Sequence, residues 1–205
     1  MELLTRMLIM TFIFIIAFSM NVSADTVKMD KEVPNFTLKD AKDKAHSLKD
    51  LTHEKKATVV MFISTQCPVF SDYNERIVAL HNDYKDQGVE FIGINSNRNE
   101  SVEDIAEHSK TNKFDFVVLK DLQNKIADKF GARRTPEVYL LDEKRILRYR
   151  GAIDNSQKDP ETHYLRETLD LTVAGEEIPE DRKKTKAFGC TIKRVRKKQD
   201  RSRTP

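Results

Sequence analysis

Residues 57–68 read Ala-Thr-Val-Val-Met-Phe-Ile-Ser-Thr-Gln-Cys-Pro, and this stretch decides the fold class. Its first seven residues are mostly β-branched or aromatic, without the polar alternation of a half-exposed strand. Such a run is typical of a central strand that is buried on both faces of a sheet. A helical pattern begins at Pro68, directly after Cys67. The stretch therefore predicts a buried strand, a short loop and a helix that starts at the cysteine.

Strand and helix patterns alternate on both sides of this stretch, and the order ends in a hairpin and a helix. This order predicts an α/β fold with a mixed central sheet, helices on both faces and a short N-terminal hairpin. Chemistry in such sheets is found at the carboxyl ends of strands, where Cys67 lies. The predicted strands are 33–38, 45–48, 57–63, 89–94, 116–119, 138–141 and 146–149, and the predicted helices are 68–87, 101–112, 124–130 and 162–173. Ser101, with Asp104 three residues later, indicates a capping box at the start of one helix, and Gly131 indicates the end of another.

The composition excludes several classes of protein. The 205 residues suit one domain with a core of ordinary size. Two cysteines are too few for a disulfide-stapled scaffold or a four-thiolate metal site. Six glycines form no phosphate-binding loop, and the five histidines show no metal-ligand spacing. We therefore expect no metal and no cofactor.

The N-terminus has the pattern of a secretory signal. The apolar run Met7–Met20 has 14 residues, and small residues follow it up to Ala24. A membrane-spanning helix needs about 20 residues. We interpret residues 1–24 as a signal peptide, with an uncleaved anchor as the alternative. Either interpretation predicts a periplasmic or secreted domain, where a disulfide can persist.

Positive charge is concentrated at the C-terminus. Residues 182–205 contain eleven Lys/Arg and one acidic residue, a charge of +10, so that residues 1–181 carry −7 of the net +3. The basic run could bind nucleic acid or an anionic membrane, but it has no aromatic residue for base stacking. We expect a solvated terminus and no nucleic-acid partner, with membrane contact only through this segment or an uncleaved signal. The domain is predicted to be 25–181, and the basic segment 182–205 carries Cys190.

The position of Cys67 suits an activated thiol. A free cysteine, with a pKa of about 8.5, is mostly protonated at neutral pH. The unpaired N–H groups at a helix N-terminus favour the thiolate and lower this pKa. Pro68 fits the first helical position because its missing N–H is not needed there. The alternative is a buried structural cysteine.

Six short motifs follow one another along the mature chain. In this order they resemble the thioredoxin superfamily, and in particular its exported redoxin branch related to peroxiredoxins, the alkyl hydroperoxide reductase and thiol-specific antioxidant family. The resemblance implies a three-layer thioredoxin-like fold in which Pro136 is cis and lies against Cys67. From the sequence alone, a trans proline is the more common state. The motifs are 65–69 (TQCPV), 73–76 (YNER), 94–97 (INSN), 134–137 (RTPE), 149–154 (YRGAID) and 188–192 (FGCTI).

The chain departs from these families at several positions. Phe70 stands where thioredoxins have the second cysteine of CxxC, so that Cys67 cannot close that short disulfide. Peroxiredoxins usually have proline seven residues and Ser/Thr three residues before their cysteine, and here those positions hold Val60 and Ser64. Pro136 replaces an arginine that peroxiredoxins place ahead of the corresponding strand. Arg133 and Arg134 are left either to approach the thiolate or to remain surface charges.

The resemblance implies a thiol-based oxidoreductase with an antioxidant role in redox homeostasis. Cys67 would attack a peroxide or a protein disulfide, assisted by Ser64 and facing Pro136. Cys190 or an external thiol reductant would then resolve the product. The implied substrate contacts are Thr65, Gln66, Arg134 and Thr135. The alternative is a redox-inert binding domain in which Cys67–Cys190 is a structural disulfide.

Overall fold

A computed structural model describes residues 26–196. The predicted signal peptide and the last nine residues of the basic segment lie outside these residues. Among the described residues, no helix is long and apolar enough to cross a membrane. The same part of the chain contains no group of three or more histidine, cysteine or acidic residues that could hold a metal ion.

The fold is built on a mixed seven-stranded sheet with the strand order β2-β1-β5-β4-β3-β7-β8. Strand β3 pairs in parallel with β4 and antiparallel with β7. A second, two-stranded sheet joins β6 and β9. The strands are β1 Thr37–Asp40, β2 Ala45–Ser47, β3 Ala57–Ile63, β4 Val89–Asn95, β5 Val117–Lys120, β6 Arg134–Thr135, β7 Glu137–Asp142, β8 Leu147–Gly151 and β9 Cys190–Thr191.

Helices cover both faces of the large sheet, which confirms the predicted α/β architecture. All seven residues of β3 are buried, and alternate residues enter different cores. Met61 belongs to the core that includes Ile77 and Leu165, while Phe62 belongs to the core that includes Phe130. The helices are α1 Leu48–Leu51, α2 Pro68–Ser71, α3 Asn74–Tyr84, α4 Val102–Thr111, α5 Lys125–Phe130 and α6 Tyr164–Ala174, with 3-10 turns at Lys85–Gln87 and Glu180–Arg182.

The local signals at helix ends agree with the structure. Ser101 caps α4, and its side chain and that of Asp104 form the reciprocal capping box that the sequence predicts. Gly131 ends α5 in the left-handed conformation, as expected from its position. The helix predicted from Pro68 onward is interrupted, however. The Tyr73 N–H bonds the Phe70 carbonyl, three residues back, and this tighter turn separates α2 from α3.

The described part of the basic segment, residues 182–196, packs on the domain. Ile192 is only 4% exposed and lies in the same core as Phe130. The backbone N–H groups of Lys193 and Val195 donate to buried asparagine side chains, Asn97 and Asn124 respectively. The expectation of a solvated terminus is therefore wrong for these residues. The contacts come from apolar and backbone groups and also from basic side chains, since Arg194 pairs with Asp128 and Lys183 with Asp30.

We expect Ile192→Ala to lower the free energy of unfolding of the oxidised chain by about 2–5 kcal/mol, because it removes buried apolar volume from a packed core. Urea unfolding of the full chain measures this change. Val195→Ala is the matched control, because Val195 is 41% exposed and its replacement should change stability by less than about 0.5 kcal/mol. Equal effects of the two substitutions would show that residue 192 does not anchor the segment.

Candidate active site

Cys67 lies where the sequence predicts it, at the N-cap of α2. Its backbone is extended, Pro68 occupies the first turn, and the Phe70 N–H donates to Cys67 Sγ at 3.4 Å. The residue is almost fully buried, with 1% of its surface exposed. The short loop from β3 therefore delivers a sulfur atom to the carboxyl end of the sheet and aims a backbone donor at it.

Cys190 forms a disulfide with Cys67, across a sequence separation of 123 residues and a Cα–Cα distance of 5.8 Å. Cys190 belongs to β9, whose partner strand β6 precedes the proline loop. In contrast to Cys67, Cys190 is only partly buried. The bond brings together both cysteines of the sequence and leaves Cys190 as the more accessible half.

The Thr135–Pro136 peptide bond is cis, as the resemblance implies. The carbonyl oxygen of Thr135 lies 3.3 Å from Cys67 Sγ. In the β6–β9 ribbon Thr135 is paired with Cys190, and its hydroxyl is 3.5 Å from the Cys190 carbonyl oxygen. The proline loop and the disulfide are therefore in direct contact.

Glycine is required at position 189, next to Cys190. Its φ of +138° is rarely adopted by residues with a side chain. A Cβ atom there would lie 2.2 Å from the carbonyl oxygen of Thr135. The absence of a side chain at Gly189 is what lets β9 approach the proline loop closely enough for the disulfide.

Ser64 and Thr65 make their hydrogen bonds to Glu100. The Ser64 hydroxyl donates to Glu100 Oε1 at 2.5 Å, while the Thr65 N–H and hydroxyl donate to Oε2 at 2.7 and 3.0 Å. The Gln66 side chain accepts from the Asn99 amide at 2.6 Å. These contacts fix the loop that carries Cys67, and the Ser64 hydroxyl is directed to Glu100.

A buried polar network beneath this loop was missed by the sequence analysis. Glu100 is 3% exposed and also accepts from Asn95 Nδ2 at 2.5 Å. The Lys120 ammonium donates to the Asn95 side chain and to the carbonyls of Asn97 and Glu100, and burial lowers its pKa. All of these residues follow or end β4 and β5, so the rule that sites form at carboxyl ends of strands could have identified them.

Three motif residues, Tyr73, Arg76 and Asp154, form a second cluster. Arg76 forms an ion pair with the buried Asp154 at 2.5 Å, and its guanidinium lies over the Tyr73 ring. The Tyr73 hydroxyl donates to the Ser156 carbonyl, and burial raises the pKa of Tyr73 to about 12. The same ring packs near Phe188, two residues before Cys190. This cluster supports the β9 side of the disulfide.

Arg134 is exposed on β6 and points along the segment that carries Cys190. Its Nη1 donates to the Gly189 carbonyl at 3.0 Å. Arg133 and Arg134 also donate their backbone N–H groups to the buried Glu137 carboxylate. Among residues 26–196, the polar groups beside Cys67 Sγ are the Phe70 N–H, which donates to it, and the Thr135 carbonyl oxygen, 3.3 Å away; neither arginine side chain is one of them.

Comparison with known proteins finds thiol redox proteins. Residues 29–150 match the AhpC/TSA family. The thiol-disulfide oxidoreductase ResA of Halalkalibacterium halodurans is 29% identical over 113 residues, which cover 55% of this chain and 62% of that protein. The chain thus spans less than two thirds of the length of this relative.

Two solved structures resemble most of the chain. A hypothetical protein, SMc02350 from Sinorhizobium meliloti 1021, is 28% identical with a TM-score of 0.75, and the match covers 83% of this chain and 97% of that one. An uncharacterized conserved protein from Geobacillus kaustophilus is 30% identical with a TM-score of 0.75, over 82% of this chain and 93% of that one.

We expect Glu100→Gln to lower the free energy of unfolding by about 1–3 kcal/mol, because the new amide can place a donor against the Thr65 N–H and leaves buried groups unsatisfied. Urea unfolding of the oxidised chain measures the loss. The control is Glu103→Gln, an exposed position in the first turn of α4, with an expected change below about 0.5 kcal/mol. Similar changes in both variants would contradict a supporting role for Glu100.

Gly189→Ala should speed reduction of the disulfide by dithiothreitol, because the methyl group cannot fit against the Thr135 carbonyl and pushes β9 away. Intact mass recorded over time follows the reduction. The control is Gly175→Ala, where φ is +76° but a Cβ meets no atom within 4 Å. There we expect only a loss of roughly 1–2 kcal/mol in the free energy of unfolding, which is the cost of placing a side chain on a left-handed residue. Unchanged reduction kinetics in Gly189→Ala would contradict the close packing of β9.

Proposed function

The chain belongs to the AhpC/TSA family, and we propose that it is a thiol–disulfide oxidoreductase that cycles between the Cys67–Cys190 disulfide and two free thiols. The observation that carries this proposal is the pairing itself. A buried sulfur at a helix N-cap is bonded to a more accessible sulfur, beside a cis-proline loop. The thioredoxin-like fold and the ResA relative support the same chemistry.

In the reductive half of the cycle, a thiolate from an external reductant attacks Cys190 Sγ, because Cys67 is buried. A new S–S bond forms between the reductant and Cys190 while the Cys67–Cys190 bond breaks. Cys67 leaves as a thiolate and takes the negative charge, which the Phe70 N–H stabilises. A second thiol of the reductant then attacks the mixed disulfide and releases Cys190. The reductant is oxidised to a disulfide, and the chain gains two electrons.

In the oxidative half, the reduced segment that carries Cys190 no longer covers Cys67, and the Cys67 thiolate attacks a disulfide in a protein substrate. One substrate sulfur bonds to Cys67, and the other leaves as a thiolate. Cys190 then attacks Cys67 Sγ, which releases the second substrate thiolate and restores the internal disulfide. The Thr135 carbonyl lies beside Cys67 Sγ. Thr135, cis-Pro136, Thr65, Gln66 and Arg134 are the proposed contacts for substrate.

The surroundings of Cys67 support disulfide exchange more strongly than peroxide reduction. Cleavage of an O–O bond benefits from donors placed where charge develops on the leaving oxygen. The Ser64 hydroxyl, proposed from the sequence to assist the cysteine, is engaged by Glu100. Within residues 26–196, no arginine side chain hydrogen-bonds Cys67 Sγ. An antioxidant role through direct peroxide reduction is therefore the second candidate.

The proposal includes export of the protein. Residues 1–24 would act as a signal peptide, and the mature chain would work in the periplasm or as a secreted protein. A disulfide that is formed in the resting state suits such an oxidising compartment, because cytosolic thiols are kept reduced. The partners would be protein thiols or disulfides and an external thiol reductant.

A structural disulfide is the competing function for the same bond. The bond also ties residues 182–196 to the domain, and those residues have further anchors in Ile192 and Lys193. In that case the disulfide would resist reduction under native conditions and the protein would act only by binding. The two functions therefore differ in the reduction potential of the Cys67–Cys190 disulfide, which can be measured.

The test uses the full mature chain in redox buffers of dithiothreitol and glutathione, followed by intact mass. We expect a reversible change of two hydrogens, with a reduction potential above the roughly −300 mV typical of structural disulfides in secreted proteins. Cys190→Ser should accumulate a mixed disulfide at Cys67 with oxidised glutathione, whereas Cys67→Ser should form one at Cys190 without passing it on.

Two other outcomes would contradict the proposal. A disulfide that stays intact in excess dithiothreitol until the chain unfolds would assign it a structural role. Rapid consumption of hydrogen peroxide, with a sulfenic acid trapped at Cys67 in Cys190→Ser, would assign peroxide reduction in place of disulfide exchange.

A further inference from the structure

A cavity of about 510 Å³ opens beside β6, on the side of the domain that carries Cys190. We call it the cationic cavity, because its lining contains five basic side chains and one carboxylate. Ligand pockets for small molecules have volumes of roughly 300–1,000 Å³, so that its size suits a small ligand. The charged lining residues are Arg133, Arg134, Arg150, Lys184, Lys186 and Glu137.

The positive charge of this cavity is not neutralised by the protein. Across the described residues, only one of the five basic side chains has a carboxylate within ion-pair distance, namely Arg150, which is 3.5 Å from Glu137 Oε1. The Glu137 carboxylate is buried and already accepts hydrogen bonds from the Tyr139 hydroxyl and from two backbone N–H groups. The cavity therefore presents a net charge of about +4 to an entering group, which favours anions.

The cavity adjoins the segment that carries Cys190, although Cys190 itself is not one of the lining residues. Arg134, one of the lining residues, donates from its guanidinium to the carbonyl of Gly189, the residue before Cys190. Arg134 and Thr135 form β6, which is paired with Thr191 and Cys190 of β9. A molecule held in the cavity therefore lies beside β6, the strand that pairs with the one carrying Cys190.

We propose that the cationic cavity binds the carboxylates of a small anionic thiol, which reduces the disulfide through Cys190. This inference rests on the proposed function, since it names the class of the external reductant. Guanidinium and ammonium groups recognise carboxylates by charge-assisted hydrogen bonds, and a concave cavity selects a small molecule over a flat protein surface.

The reaction balances with two molecules of this thiol. The thiolate of the bound molecule attacks Cys190 Sγ, and the electron pair of the Cys67–Cys190 bond passes to Cys67, which leaves as a thiolate. The thiolate of a second molecule attacks the sulfur of the first, and Cys190 leaves. Two thiols become one disulfide, and the protein disulfide becomes two thiols after protonation from water.

The first experiment compares reductants that differ in charge. The probes are glutathione, which has two carboxylates, glutathione diethyl ester, which has none, and 2-mercaptoethanol, which is neutral. We compare the rates at which each thiol reduces the full oxidised chain, divided by its thiolate concentration. We expect this rate to be roughly tenfold higher for glutathione than for its diethyl ester, and the difference to shrink in high salt. Lys184→Gln combined with Lys186→Gln should reduce this ratio of rates severalfold. Lys110→Gln combined with Lys125→Gln, at exposed helix positions outside the cavity, should leave it unchanged.

The second experiment measures binding without redox chemistry. S-methylglutathione has the same carboxylates as glutathione and no thiol. When it is titrated into the oxidised chain, we expect the backbone amide NMR signals of Arg133, Arg134 and Lys186 to shift. Its affinity should fall severalfold in the Lys184/Lys186 double variant. Binding of this probe elsewhere, or none at all, would overturn the cavity proposal even if every thiol reduces the disulfide.

The two experiments separate the failure of this inference from that of the proposed function. Equal rates for glutathione and its diethyl ester would overturn the cavity proposal and leave disulfide exchange in place. A disulfide that resists all three thiols would overturn the proposed function, and the S-methylglutathione titration would still decide whether the cavity binds the anion.

Discussion

Burial of β3 on both faces of the sheet is the constraint on which the site depends. Its alternate side chains enter two separate cores, so that the strand cannot shift by one residue without exposing both sets. Because its register is fixed by β4 on one side and β7 on the other, the loop after Ile63 begins at a defined place. The packing and register of β3 therefore set the position of Cys67, independently of the contacts to its sulfur.

The loop that carries Cys67 is then held by polar groups rather than by apolar packing. Glu100 accepts hydrogen bonds from Ser64, Thr65 and Asn95. The neighbouring Lys120 ammonium donates three hydrogen bonds, one to the Asn95 side chain and two to backbone carbonyls. Burying two charged groups is costly unless their hydrogen bonds are satisfied, and here they are. Such a network favours one conformation of the loop, which keeps the cysteine aligned with the proline loop opposite.

Local signals made much of this architecture predictable. The apolar run of β3, the capping box at Ser101 and the stop at Gly131 each depend on a few neighbouring residues, and the structure confirms them. The β6–β9 ribbon pairs two-residue strands that are far apart in the sequence, and no periodicity marks strands of that length. Glu100 was missed for a related reason, because its burial is created by tertiary contacts from β4 and the Cys67 loop.

The separation of the two cysteines gives this disulfide a different mechanical role from that of a CxxC pair. A bond between neighbouring residues of one helix turn changes little in the fold when it opens, whereas this one joins segments 123 residues apart. In the chain-entropy model, a loop of that size contributes about 5 kcal/mol to stability. After reduction, residues 182–196 depend on the burial of Ile192 and on the hydrogen bonds of Lys193 and Val195. In the proposed cycle, exchange at Cys190 is therefore coupled to how firmly this segment stays docked, and that docking would control access to Cys67.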